Sequence, residues 1–202
     1  AVAEEMEYIL SHCGASFAIV GDQEQVDKIL EISVRLKGFK DIVFVDPKGL
    51  RKYDNKNLHS LTDILEIGSS DSAELDKELN SRVEKVTGDT TCVLLYTSGT
   101  TGKSKGVVQT HRAIIGASGG ANQHDSWTHD DYLLSYLPMA WVGDFMISVA
   151  QGMGAGACIN CPEGAETMQV DLREIGPSIF FGPPPLWERL KTSVFIRIED
   201  AA

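Results

Sequence analysis

Apolar residues along the first fifty positions alternate between helical spacing and short β-branched runs. Met6, Ile9, Leu10 and Cys13 fall at i, i+3, i+4 and i+7, which predicts a helix that Gly14 can end. Ser16 to Val20 reads as a short buried strand. The helical pattern returns in Asp22 to Lys37, with Val26, Ile29, Leu30 and Val34 on one face, and Ile42 to Val45 is a second strand. The turn Asp46-Pro47-Lys48-Gly49 closes it. Strand, helix, strand is a βαβ unit, whose strands run parallel.

Residues 50 to 88 are more polar and read as a surface excursion. Ser60 can cap a short helix around Leu61, Ile64 and Leu65, and Leu75, Leu79, Val83 and Val86 offer a thin stripe on another. Apolar content then rises. Strand 91 to 96, a second strand at Val107-Val108, and a helix from Thr110 to Ala121 with Thr110 as its cap follow in order. Beyond these, Tyr132 to Leu137 predicts a strand, Val142 to Met153 a helix, Ala155 to Asn160 a strand, and Ala165 to Ile175 a helix. Ser178 to Phe181 is a strand stopped by Gly182-Pro183-Pro184-Pro185, and Leu186 begins a last helix. The alternation predicts an α/β fold, a layered, mostly parallel sheet flanked by helices.

With 202 residues, 43% hydrophobic and 23% charged, the composition is that of a globular protein with a core of its own. No apolar run approaches the roughly 18 residues of a membrane span. A net charge of -11 repels nucleic acid, so a basic site must be local, and Lys103, Lys105 and Arg112 are the cluster that stands out. The first residues carry no basic stretch followed by an apolar one, so a cytoplasmic location is expected. Cys13, Cys92, Cys158 and Cys161 are expected to be thiols. The lone C-x-x-C at Cys158 and Cys161 lacks the second pair that zinc would want and the helical setting of a redox pair.

Chemistry concentrates between Tyr96 and Gly106. Three glycines (Gly99, Gly102, Gly106), the hydroxyls of Thr97, Ser98, Thr100 and Thr101, and Lys103 and Lys105 follow an apolar strand directly. Glycines let backbone N–H groups approach an anion, hydroxyls donate to phosphate oxygens and lysines add charge, a combination suited to a polyphosphate. Gly102-Lys103-Ser104 ends like a Walker A motif, but position 97 is Thr where that motif has Gly, and strand signals rather than a helix follow the Lys. Gly152 to Ala157 matches the dinucleotide fingerprint by letter, yet it follows a helix and precedes a strand, the reverse of what the fingerprint requires. His124, Asp125, His129, Asp130 and Asp131 could suggest a metal, although such residues also make solvated turns. Trp141, Trp187, Phe180 and Phe181 are read as core aromatics on composition alone.

Tyr-Thr-Ser-Gly-Thr-Thr-Gly, two residues, Lys-Gly, Val-Val and Thr110-His111-Arg112 together resemble the signature loop of the AMP-forming acyl-CoA synthetase superfamily, the adenylate-forming or acid-thiol ligases. Ser104 stands where that family usually has Pro. Tyr136 to Gly143 is similar to the family's segment bordering the carboxylate pocket, with Trp141 where many relatives have His, and Phe181 to Glu188 resembles a stretch of long-chain acyl members. The resemblance is specific over about residues 89 to 190 and looser over 1 to 88. It implies an incomplete N-terminal adenylate-forming domain, with 1–88 a first α/β segment and 89–202 carrying the phosphate loop and acyl-pocket wall. The family's later adenine-binding, ribose-binding and hinge motifs and its C-terminal domain have no equivalents in these residues, so this piece alone is expected to be inactive.

What the resemblance implies is ATP-dependent activation of a carboxylic acid, fatty or otherwise apolar, to an acyl-adenylate and then a coenzyme A thioester, with Mg²⁺ assisting. Thr97 and Lys105 would be catalytic, and Thr97, Ser98, Gly99, Thr100, Thr101, Gly102, Lys103 and Lys105 would hold the nucleotide's phosphates. Thr97 would also meet Mg²⁺ or its water, while Trp141 and Gly143 would border the acid. Partners would be the acid, ATP and CoA, with peripheral membrane association and self-association through bare core surface as further expectations. Two alternatives stand beside this reading: an adenylation module loading a carrier-protein thiol, and a non-enzymatic nucleotide-binding fragment.

Overall fold

Val26, Ile29 and Ile32 recur at intervals of three on one helix and are entirely or almost entirely shielded from solvent, which makes that helix the organiser of the first half of the chain. The structure is a computed structural model that describes residues 2–69, 72–97 and 102–200. The chain divides into two compact units between Val108 and Gln109.

In the first unit, α1 (Ala3–Cys13) ends at Gly14, whose φ of 65° places it in the left-handed region that glycine adopts without strain. β1 (Phe17–Val20) leads to α2 (Gln23–Ser33), capped by Asp22, whose side chain accepts from the Gln25 N–H. β2 (Asp41–Phe44) pairs parallel with β1, as the βαβ pattern predicts. β3 (Leu58–Ser60), a strand hidden in the polar excursion, pairs parallel with the other side of β2. Val26 and Ile29 of α2 pack with Ile42 of β2 and Leu50, and Met6 and Leu10 of α1 join them. Each such fully buried aliphatic side chain contributes roughly 1.5–3 kcal/mol.

Two expectations change here. α2 stops at Ser33, so Val34 is 89% exposed and Ile32 takes the buried place. Ser60 does cap α3 (Leu61–Ser69), its Oγ accepting from the Asp63 N–H at 3.0 Å. On α4 (Ala73–Glu84), however, Leu75, Leu79 and Val83 are all exposed. β4 (Thr91–Thr97) and β5 (Lys105–Thr110) form a separate two-stranded sheet in which only Leu95 of β4 is fully buried.

In the second unit, Thr110 caps α5 (His111–Asp125) by accepting from the Ala113 N–H at 3.2 Å. β6 (Tyr132–Leu134) and β7 (Cys158–Asn160) pair parallel and bury Leu133 and Leu134. Both are shorter than the apolar runs suggest. Between them, α6 (Val142–Asp144), a π-helical segment (Phe145–Gly152) and α7 (Met153–Ala155) make one continuous helical stretch. Gly156, at φ 74°, turns it toward β7, so the fingerprint-like glycines are a helix end. α8 (Met168–Ile175) and α9 (Pro184–Asp200) follow, and the expected strand at 178–181 reduces to one parallel bridge between Leu133 and Ile179. α9 exposes Val194, Phe195, Ile196 and Ile198. Among the described residues no helix is long and apolar enough to cross a membrane.

Candidate functional site

Thr97 is the last residue of β4 and Lys105 the first of β5, and both are exposed. The two strands are hydrogen-bonded neighbours in one sheet, which anchors the segment joining them at both ends. Ser98, Gly99, Thr100 and Thr101 lie outside the described residues. Gly102 has φ 92°, a conformation that side chains resist, and Lys103 beside it is exposed.

The strand side of this segment is held by Tyr96. Its ring lies over Gly106, where a Cβ would stand 3.2 Å from the ring's Cζ, and its hydroxyl shares a 2.7 Å hydrogen bond with His12 Nδ1 on α1. Burial, then the neighbouring Cys13 and Tyr8, push the Tyr96 hydroxyl above the ordinary tyrosine range, so the phenol keeps its proton. No pattern in the sequence marks His12 as a partner of this strand; it lies on the polar side of the stripe that predicts α1.

In the second unit, Tyr136 to Gly143 leaves β6 and enters α6. Ser135 and Ser148 both donate to the buried carboxylate of Asp144, at 2.9 and 3.3 Å, which ties the strand end to the helix start. Between them the Trp141 N–H donates to the Pro138 carbonyl at 2.8 Å, forming a tight turn. Trp141 is not a core residue: it is 42% exposed, with its indole folded over Gly143 and tilted against Phe181 at 5.8 Å between ring centroids. Phe181 and Trp187 are exposed in similar degree. Tyr136 stacks on Phe180 at 5.4 Å, and Phe180 meets Trp187 edge to face at 5.4 Å. The Tyr136 hydroxyl is buried without a hydrogen-bond partner, and burial, then Asp144, raise it above the usual range. The pattern YLPMAWVG marks this strand-to-helix segment, but Asp144, which holds it, carries no sequence signal beyond its place at a helix start.

The acidic and histidine-rich loop makes no metal centre among the described residues. Asp131 instead accepts from the Thr128 N–H and the Ser178 hydroxyl, both at 2.8 Å, and those bonds lower its carboxyl below the usual range. All four cysteines are free thiols. Cys158 opens β7 and Cys161 follows its end, and both are exposed.

Parallel strands flanked by helices recur in both units, the α/β class that the sequence predicts. The chain belongs to the AMP-binding enzyme family, which it matches over residues 1–201. It is 28% identical over 196 residues to the long-chain-fatty-acid–CoA ligase ACSBG2 of Xenopus laevis, covering 94% of this chain and 26% of that protein. Against the ACSBG2 of Homo sapiens the identity is 29% over 197 residues, covering 95% and 29%. The chain thus spans less than a third of the length of these relatives. Its fold is that of solved acyl-CoA ligases. ATP-bound MatB from Rhodopseudomonas palustris superposes with a TM-score of 0.69 at 24% identity, over 94% of this chain and 34% of that one. The anthranilate CoA ligase AuaEII in complex with anthranoyl-AMP gives 0.69 at 22%, over 90% and 33%. The family and fold expected from the loop motif are thereby borne out.

Proposed function

We propose that this chain supplies the phosphate-holding loop and part of the acid-pocket wall of an AMP-forming carboxylate–CoA ligase acting on a fatty acid. The observation that carries the reading is the placement of Thr97 and Lys105, exposed at the ends of paired strands on either side of the glycine-rich segment. The fatty acid and the CoA thiol are taken from the names of the relatives, and the half-exposed aromatic surface of Trp141 and Phe181 supports an apolar acid.

In the reaction, a carboxylate oxygen bonds to the α-phosphorus of ATP as the bond to the bridging oxygen breaks and pyrophosphate leaves. The thiol sulfur of CoA then attacks the acyl carbon, AMP departs and the thiol proton is released. The loop acts in the first step. Lys105 sets a positive charge beside the β- and γ-phosphates, where negative charge accumulates, and the backbone from Ser98 to Gly102 is assigned the cradle that keeps the leaving group in line. Lys103 adds a second cation. The Thr97 hydroxyl suits a contact with phosphate-bound Mg²⁺ or its water. Mg²⁺ would supply further charge neutralisation on the phosphates. Trp141, seated on Gly143, would border the acid.

The test separates the two half-reactions in the protein carrying this chain. Lys105→Ala is expected to lower ATP–pyrophosphate exchange at least a hundredfold while acyl-CoA formation from supplied acyl-adenylate falls far less. Equal losses in both would overturn the assignment. Exchange stimulated by long-chain acids over short ones supports the fatty-acid reading, and the reverse preference would remove it.

A further inference from the structure

Three contacts run in register along one face of α1. Glu5, Tyr8 and His12 are three and four residues apart, so they line a single side of the helix, beside the stripe through Met6 and Leu10 that packs on the core. His12 Nδ1 shares its hydrogen bond with the Tyr96 hydroxyl at 2.7 Å. One turn back, Lys103 Nζ stands over the Tyr8 ring, 5.4 Å from its centroid. Nearer the start of the helix, the Ser104 hydroxyl donates to Glu5 Oε1 at 3.4 Å. Tyr8 and His12 also lie with ring centroids 5.5 Å apart, so the two anchors brace each other. One helix face therefore grips Tyr96, immediately before the phosphate-type segment, and Lys103 and Ser104, at its far side.

From this we infer that the Glu5, Tyr8 and His12 face of α1 positions the two flanks of the phosphate-type segment, fixing where Thr97 departs from β4 and where the Lys103 ammonium stands. The inference rests on the phosphate reading above and adds the element that pre-organises it. An ammonium resting on an aromatic face keeps its charge and has three N–H donors, so Lys103 can be held by Tyr8 and still donate away from the ring. A flank already held in place costs less to order when an anion is taken up, which strengthens binding without any new contact to the ligand. Tyr8 and His12 are positioning residues: neither has to touch the phosphate.

The experiment measures binding of inorganic tripolyphosphate and of Mg·ATP by titration calorimetry, with NMR observation of the Lys103 ε-methylene protons, which the Tyr8 ring current shifts upfield. Tyr8→Leu is expected to abolish that shift and weaken tripolyphosphate binding about three- to tenfold, and His12→Ala to weaken it by a similar factor. Tyr8→Phe, which keeps the ring, should restore both the shift and the affinity; a purely structural loss would leave the ring-current signature unrelated to affinity. Lys105→Ala serves as the control for the phosphate reading. If the unaltered protein binds neither probe, the phosphate reading falls and this inference with it. If it binds and Lys105→Ala loses binding, while Tyr8→Leu and His12→Ala bind as before, the role of α1 alone is overturned.

Discussion

The ring of Tyr96 lies across Gly106, close enough that a Cβ there would stand 3.2 Å from Cζ and 3.4 Å from the hydroxyl oxygen. Gly106→Ala forces the ring to shift by a few tenths of an ångström and lengthens the bond to His12. The expected cost is about 1 kcal/mol, read as a lower urea midpoint, together with weaker tripolyphosphate binding. An unchanged midpoint and affinity would show that the ring yields freely.

Trp141 and Gly143 stand in a similar relation with the opposite outcome. A Cβ on Gly143 would come within 2.5 Å of the indole Cζ3, so Gly143→Ala must displace the ring. Because Trp141 is half-exposed, the ring can swing outward, and stability should change by less than about 0.5 kcal/mol. Tryptophan emission should shift to the red, and the acid preference of the proposed ligase should change with it. Emission identical to the unaltered protein would contradict the packing.

Asp144 holds the same wall from beneath. Asp144→Ala strands the hydroxyls of Ser135 and Ser148 in the interior and is expected to cost about 2–4 kcal/mol in urea denaturation. Asp144→Asn keeps a carbonyl acceptor and should cost less. Equal losses would argue for charge, rather than the paired hydrogen bonds, as what matters. Tyr136→Phe removes a hydroxyl that is buried without a partner, and should stabilise the protein by up to about 1 kcal/mol.

Stability should fall at both ends of the pH range. Tyr96 and Tyr136, raised chiefly by burial, and Tyr53, raised chiefly by its hydrogen bond to Asp27, favour the protonated phenol in the folded state. What they contribute is complete below the ordinary value near 10 and is lost as pH rises through their raised values. Asp131 is lowered, so its contribution is present above the ordinary value of 3.8 and is lost as pH falls through the depressed one. Urea midpoints taken across pH should show Tyr96→Phe flattening the alkaline limb and Asp131→Asn the acid limb. Limbs unaffected by these changes would refute the assignments.

Much of this architecture is legible in the residues, and the gaps have physical causes. Spacing of Val26 and Ile29, the caps Ser60 and Thr110, and Gly14 at a helix end all speak locally, where side chain and backbone interact within one turn. β3 was hidden because a strand of three residues, Leu58 to Ser60, presents no alternation long enough to read. The α4 stripe misled: leucines at helical spacing announce an apolar face, not what covers it. Trp141 reads as core on composition, and its exposure overturns that reading because the turn at Pro138 leaves the indole on the surface. The α1 contacts were invisible because His12 and Tyr96 are 84 residues apart and only the folded chain brings them together.

The π-helical stretch from Phe145 to Gly152 has a consequence for how this wall tolerates change. Such a segment carries more residues per turn than an ordinary helix, so it sets the angular phase between Asp144 at one end and Gln151 at the other. Gln151 is clasped there from α5, its backbone carbonyl accepting from Asn122 and its side chain donating to Asp125, both at 3.1 Å. Winding the same residues as an ordinary helix, at about 100° per residue, would turn one end against the other. Either the clasp or the serine pair would have to let go. The serine pair and the α5 clasp are thus both keyed to one winding of the eight residues between them.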